Sequence, residues 1–238
     1  MLGGVLVAAV AVIAVAIAIS ASGGSSAPVK VHSAQAKNDY TAVATLLKGI
    51  PQTGTTLGNP KAPVTIDYYA DLECPICRLF TLGIDGGGFP QLVANQIRAG
   101  KVKVVYKSFC TATCTNHGQS TFNLQQVAAY ATGQQNLFWD YAELFYREQQ
   151  VETSDYVNAT FLKGLAEQIP NLDLTKWQTD RGDPALLNQV EGDEQSASNL
   201  GLGGTPTLIA IGAKGETLVN SGNFPTYSTI QQAISKVE

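Results

Sequence analysis

Cys74-Pro75-Ile76-Cys77 lies just beyond the run Val64-Thr65-Ile66-Asp67-Tyr68-Tyr69-Ala70. This junction restricts the fold more than any other stretch of the chain. The run is short, β-branched and aromatic, as a buried strand requires. Pro75 falls where proline is tolerated, in the first turn of a helix. The spacing therefore predicts a strand that leads into a helix, with two cysteines at the helix start.

The rest of the chain builds outward from that junction. Lys101 to Phe109 reads as a second strand with clear alternation at its start. Phe89 to Ala99 has helical spacing between the two strands. Leu124, Val127, Ala128 and Ala131 mark a helix; so do Leu137, Phe138, Tyr141, Leu144 and Phe145, then Leu162, Leu165, Ala166 and Ile169. Asp183-Pro184 caps another. Thr207 to Ile211 and Glu216 to Asn220 read as a hairpin around Gly212-Ala213-Lys214-Gly215, and Ile230 to Val237 as a closing helix. Upstream, Asn38 to Lys48 reads as a short helix, and Gly49 to Pro63 as irregular chain with room for one short strand. The order is βαβ, a helical block, then ββα, an α/β class.

Residues Leu2 to Ile19 form an uncharged apolar run. At 1.5 Å per residue it spans roughly 27 Å, near the thickness of a hydrocarbon core. Residues 1–20 are expected to be a transmembrane signal anchor or a cleaved signal peptide, and 21–48 a linker with a short helix. The four cysteines form an even set, which suits an oxidising compartment. The catalytic portion is expected outside the cytoplasm, anchored by the N-terminal helix, or secreted or periplasmic after cleavage. The net charge of -4, without a Lys/Arg cluster, argues against nucleic acid as a partner.

Several segments in order resemble the DsbA-like thiol:disulfide oxidoreductases, in their single-span extracytoplasmic branch. They are Gly49-Ile50-Pro51-Gln52 through Leu57-Gly58, Ala62-Pro63-Val64-Thr65, Asp71-Leu72-Glu73-Cys74-Pro75-Ile76-Cys77, Phe138-Trp139-Asp140-Tyr141 and Gly204-Thr205-Pro206-Thr207. The resemblance covers residues 49–237. It implies a thioredoxin-like fold interrupted by a helical insertion at about 115–200, and a cis peptide bond before Pro206. It also implies a membrane partner of the DsbB or VKOR type that reoxidises the enzyme, with reduced exported proteins as substrates. No cofactor or metal is expected.

Cys74, at a helix N-terminus, is the expected nucleophile, its thiolate favoured by free N–H groups and the helix dipole. Cys77 is the expected resolving thiol. Thr205 and Pro206 are expected to hold a substrate strand by β-augmentation. Asp67 is either a proton acceptor for Cys77, since family members often carry an acid there, or a solvent-facing strand residue. Asp71 and Glu73 read as exposed loop acids, and His117 as a surface residue. Cys110 and Cys114 read as a structural disulfide, with a redox relay as the alternative. The aromatic cluster Leu137 to Phe145 reads as core of the helical block, with a hydrophobic substrate surface as its rival.

The expected activity is introduction of disulfides into exported proteins. Ile76, where the best-studied oxidases of the family have His, and Thr205, which resembles the pre-proline threonine of disulfide isomerases, point to an isomerase or reductase as the alternative. A Cys₄ zinc site from Cys74, Cys77, Cys110 and Cys114 is a remote one.

Overall fold

The computed structural model describes residues 34–238 apart from residue 223, and Ser221 by its backbone only. The apolar run at Leu2 to Ile19, read above as an anchor or signal, lies outside the described residues. Among the described residues, no helix is long and apolar enough to cross a membrane.

Helix α1 (Ala34–Leu47) leads into strands β1 (Gln52–Thr53) and β2 (Thr56–Leu57). Then follow β3 (Val64–Ala70), α2 (Pro75–Leu82), α3 (Phe89–Leu92) running into a π-turn over Val93–Ile97, and β4 (Val102–Ser108). A helical block comes next: α4 (Ala112–Asn116), α5 (Gln119–Gly133), α6 (Phe138–Glu148), α7 (Ala159–Glu167), α8 (Leu174–Asp180) and α9 (Pro184–Asn199). The chain closes with β5 (Thr207–Gly212), β6 (Gly215–Ser221) and α10 (Tyr227–Val237).

The strands form one sheet in the order β1-β2-β4-β3-β5-β6. β3 lies inside it, parallel to β4 with Val64 opposite Val102, and antiparallel to β5 with Thr65 opposite Ile211. Pairing on both edges and helices on both faces explain its nearly unbroken apolar sequence. Val64, Ile66, Tyr68 and Ala70 are fully buried on the main-core side. Tyr69 packs on the other side against Ala197 and Ile209. α2 stops at Gly83, whose φ of 72° is left-handed and whose N–H closes onto the Leu79 and Phe80 carbonyls.

Three local expectations change. The stretch from Gly49 to Pro63 holds two strands, not one, because Thr56 and Leu57 pair with Val105 and Val104 at a sheet edge. Two-residue strands carry no periodicity of their own, so this pairing is tertiary. The helix expected over Phe89 to Ala99 shifts into a π-turn at Val93–Ile97. α8 was not expected; it buries only Trp177, too little for a periodic signal.

α6 joins the block to the sheet. Phe138, Trp139, Tyr141, Leu144 and Phe145 are fully buried, so they are core and not an open substrate surface. The Trp139 ring stacks on Phe89 at 5.1 Å between centroids and its Nε1–H donates to the Thr55 carbonyl at 3.0 Å.

The same helix buries Glu143 completely. Arg147 reaches one of its oxygens at 3.4 Å and the other has no partner. Burial pushes this carboxyl up to about 8 from 4.5, with Arg147 opposing. Between those values the folded chain holds a proton that the unfolded chain has lost, so stability falls as pH rises from 4.5 towards 8. Glu143→Gln is expected to flatten that decline in urea midpoints measured across the window. An unchanged slope would show that another group sets it.

Candidate active site

Cys74 is the N-cap of α2, and its extended backbone (φ -68°, ψ 119°) turns its side chain back over the first turn. Its Sγ accepts the Cys77 N–H at 3.4 Å. This places the sulfur on the unpaired N–H groups of the helix start, where negative charge is favoured. Both thiols are free. Cys74 keeps 5% of its surface exposed while Cys77 keeps none, so a group arriving from outside reaches only Cys74.

The β5 approach closes the site from the other side. Thr205-Pro206 is a cis peptide, and the Thr205 carbonyl accepts the Cys74 thiol at 3.5 Å. The two loops are 131 residues apart in sequence; the antiparallel pairing of β3 with β5 brings them together.

The two sulfurs are driven apart in acidity. A hydrogen bond from the Cys77 thiol holds Cys74 below the usual thiol value; burial opposes this, and the Thr205 side chain and the Cys77 N–H reinforce it. Burial first, then the Cys74 sulfur, push Cys77 well up. The arrangement therefore supplies one thiolate at the surface and one protonated thiol behind it, the two states that exchange demands.

Asp71 is not the exposed loop acid that the sequence suggests; it is fully buried. One carboxylate oxygen accepts the backbone N–H groups of Thr111 (3.0 Å) and Thr113 (2.9 Å). The other accepts the Glu73 N–H, the Thr113 hydroxyl and the Gln125 amide. Burial raises its pKa against the pull of these donors. Asp71 thereby ties the loop before Cys74 to the loop after β4. That second loop is closed by a Cys110–Cys114 disulfide with a Cα–Cα distance of 5.6 Å. A four-thiolate zinc site is therefore not assembled, and no group of three or more metal-ligating side chains exists among the described residues.

Glu73 is likewise buried, at 1% exposure, because the loop folds under the helical block. His117 is not at the surface either, with a side chain 7% exposed. Its Nε2 lies 3.7 Å from Glu73, and its Nδ1 3.0 Å from Asp155. Burial pushes the Glu73 carboxyl up to about 7, with His117 holding it down.

Asp67 lies on the strand face turned away from Cys77. Alternation along β3 gives the Cys77 side to Tyr68, whose acidity the Cys77 sulfur affects. Asp67 faces the opposite side, half-buried among Lys107, Asp193, Glu216 and Lys103. Sequence reasoning also passed over Gln149, whose amide donates to the Leu72 carbonyl at 2.8 Å and the Cys74 carbonyl at 3.3 Å. It passed over Tyr146, whose hydroxyl donates to the Asp71 carbonyl at 3.3 Å. Both sit in or beside the α6 end, with no local motif to mark them.

A family model described as thioredoxin matches residues 51–235. The chain belongs to the thioredoxin family. Among curated relatives of this thioredoxin-family chain, disulfide bond formation protein D of Bacillus subtilis is 25% identical over 204 residues, covering 84% of this chain and 82% of the relative. The probable disulfide bond formation protein D of Bacillus anthracis is 24% identical over 185 residues, covering 77% and 78%. Among solved structures, oxidised BdbD from Bacillus subtilis superposes with a TM-score of 0.64 at 23% identity, covering 79% of this chain and 96% of that one. Wolbachia pipientis α-DsbA1 gives 0.59 at 18%, covering 80% and 91%. The fold is thus that of DsbA, and the chain is a DsbA-like protein disulfide oxidoreductase.

Proposed function

We propose that this chain works outside the cytoplasm and introduces disulfides into exported proteins through Cys74 and Cys77. A substrate thiolate attacks Cys74 Sγ of the oxidised pair; the Cys74–Cys77 bond breaks and Cys77 leaves with the electron pair and takes a proton. A second substrate thiolate then attacks the substrate sulfur of the mixed disulfide. The substrate leaves oxidised, and Cys74 leaves as a thiolate. Two electrons stay on the pair, and a membrane partner of the DsbB or VKOR type removes them. Thr205 and Pro206 hold the substrate segment as an added strand. The run from Leu2 to Ile19 anchors the enzyme, and Cys110–Cys114 is structural.

The observation that carries this reading is the Cys74 sulfur seated on the α2 N-terminus, with the Cys77 N–H donating to it. Whatever stabilises the thiolate stabilises the reduced pair and makes the disulfide a stronger oxidant. The names of the Bacillus relatives agree with that direction.

Ile76 favours a second reading, an isomerase or reductase, because an aliphatic side chain between the cysteines gives the thiolate no donor. The reduction potential of the Cys74–Cys77 pair decides between them. Equilibration with glutathione is expected to place it well above the thioredoxin value of about -270 mV and towards the DsbA value of about -120 mV. A value at or below that of thioredoxin would replace the oxidase reading with a reductase.

A further inference from the structure

His117 stands where three segments meet, and the exchange chemistry leaves it unused. It caps the C-terminal end of α4. Its Nε2 lies 2.6 Å from the Glu152 carbonyl oxygen, and its Nδ1 3.0 Å from an Asp155 carboxylate oxygen. Glu73, next to Cys74 in the chain, brings a buried carboxyl to 3.7 Å from Nε2.

A neutral imidazole has one N–H and one lone pair. Here both nitrogens face oxygen acceptors. Both contacts are hydrogen bonds only when the ring carries two protons, and Glu73 then supplies the opposite charge. The neutral ring keeps one of the two contacts and drops the other. The titratable groups on the segments that meet the ring are Asp71 and Glu73 before α2, and Glu152, Asp155 and Tyr156 between α6 and α7. Glu73 and Asp155 pair with the ring, while Asp71 is held by its own donors. Residues 111–122 carry no charged side chain besides the ring itself.

Residues 149–158 connect α6 to α7 and run beside the reactive loop. At one end Gln149 donates to the Leu72 and Cys74 carbonyls. Towards the other end Tyr156 is fully buried, edge-on to Phe161 at 4.9 Å. Between them the chain turns on itself, the Ser154 N–H (2.9 Å) and hydroxyl (2.6 Å) both donating to the Val151 carbonyl. His117 grips this middle part from just beyond the Cys110–Cys114 disulfide.

We propose that His117, as an imidazolium, is a positioning residue for the exchange reaction: it pins residues 152–155 to the end of α4 and so keeps Gln149 on the Cys74 carbonyl, and loss of its proton loosens the segment and slows transfer. Attack on Cys74 tolerates little displacement of that sulfur. The pinned state holds one proton more than the loosened one, so it is favoured at low pH and lost as pH rises. This inference rests on Cys74 being the exchanging sulfur, as proposed above.

The test is the single-turnover rate of disulfide transfer from the oxidised full chain to a reduced cysteine peptide, followed from mildly acid to alkaline pH with thermal melting alongside. Ionisation of the peptide thiol is common to all proteins and cancels in the ratio of wild type to variant. In His117→Gln the side chain keeps one polar contact and no charge, and so stands for the neutral ring at every pH. Loss of one hydrogen bond is worth roughly a three- to tenfold change. The wild type is therefore expected to outrun His117→Gln by about that factor at acid pH, with the ratio approaching one as pH rises. Asp155→Ala alters a side chain that is 82% exposed and so leaves the core intact; it should show a smaller difference of the same sign and the same trend. The inference is overturned if these ratios stay constant with pH, or if neither variant is slower. The fall in the ratio should also persist when both proteins carry Glu73→Gln; a fall that vanishes there belongs to the carboxyl and overturns the assignment to His117. Failure of the wild type itself to oxidise the peptide would remove the functional reading, and this inference with it.

Discussion

A Cys74→Ser variant is expected to transfer no disulfide to a reduced test protein, while Cys77→Ser, offered a disulfide-bonded substrate, should react once and stop. The two sulfurs differ in exposure: 5% for Cys74 and none for Cys77. Without Cys74 no sulfur of this pair is accessible to a substrate, and the rate should fall to the uncatalysed background. Without Cys77 the outer sulfur still attacks a disulfide, but nothing behind it can resolve the product. Mixed disulfides should then accumulate and appear on non-reducing gels as adducts cleared by a small thiol. Activity retained by Cys74→Ser would move the reaction elsewhere. The disulfide-bonded Cys110 and Cys114 would be the place to look.

The second large effect concerns stability. Trp139→Ala is expected to lower the free energy of unfolding by about 3–5 kcal/mol, as for other buried aromatic truncations. Trp139 is fully buried, stacks on Phe89 and Tyr68, and meets Tyr106 and Phe138 edge-on. Removing its ring also takes from the Thr55 carbonyl one of its two donors, leaving the Tyr106 N–H. Apart from Phe138, these partners come from β3, β4, α3 and the turn between β1 and β2, whereas Trp139 belongs to the helical block. The loss should therefore appear as one cooperative transition at lower urea, with its slope unchanged. A loss under about 1 kcal/mol, or two separate transitions, would show that the block and the sheet do not depend on this ring.

Most of the frame was legible because it rests on patterns that are local. The strand from Val64 to Ala70 is read from its β-branched and aromatic run and matches β3 residue for residue. The helix opening at Pro75 and the hairpin around Gly212 to Gly215 follow from turn chemistry. The misreadings have one cause. Asp71, Glu73 and His117 are polar residues in loops, and sequence alone gives such residues to the surface. Here the helical block covers the loop, and donors from Thr111, Thr113 and Gln125 make burial of the Asp71 carboxylate tolerable. Those donors lie 40 to 54 residues downstream, beyond any periodic signal. Asp67 was open between two readings, and the period-2 geometry of the strand turns its carboxylate to the face away from Cys77, among Lys107, Asp193, Glu216 and Lys103.

The Cys110–Cys114 bridge closes across a separation of only 4 positions, and Cys74 and Cys77 are the other neighbouring pair. Four cysteines allow three pairings; here the partners are next to each other in order of synthesis. Each partner emerges within a few residues of its mate, when loop closure is cheapest in entropy, and before β5 and its cis-proline loop exist. Biogenesis of this chain thus requires no reshuffling among its own cysteines.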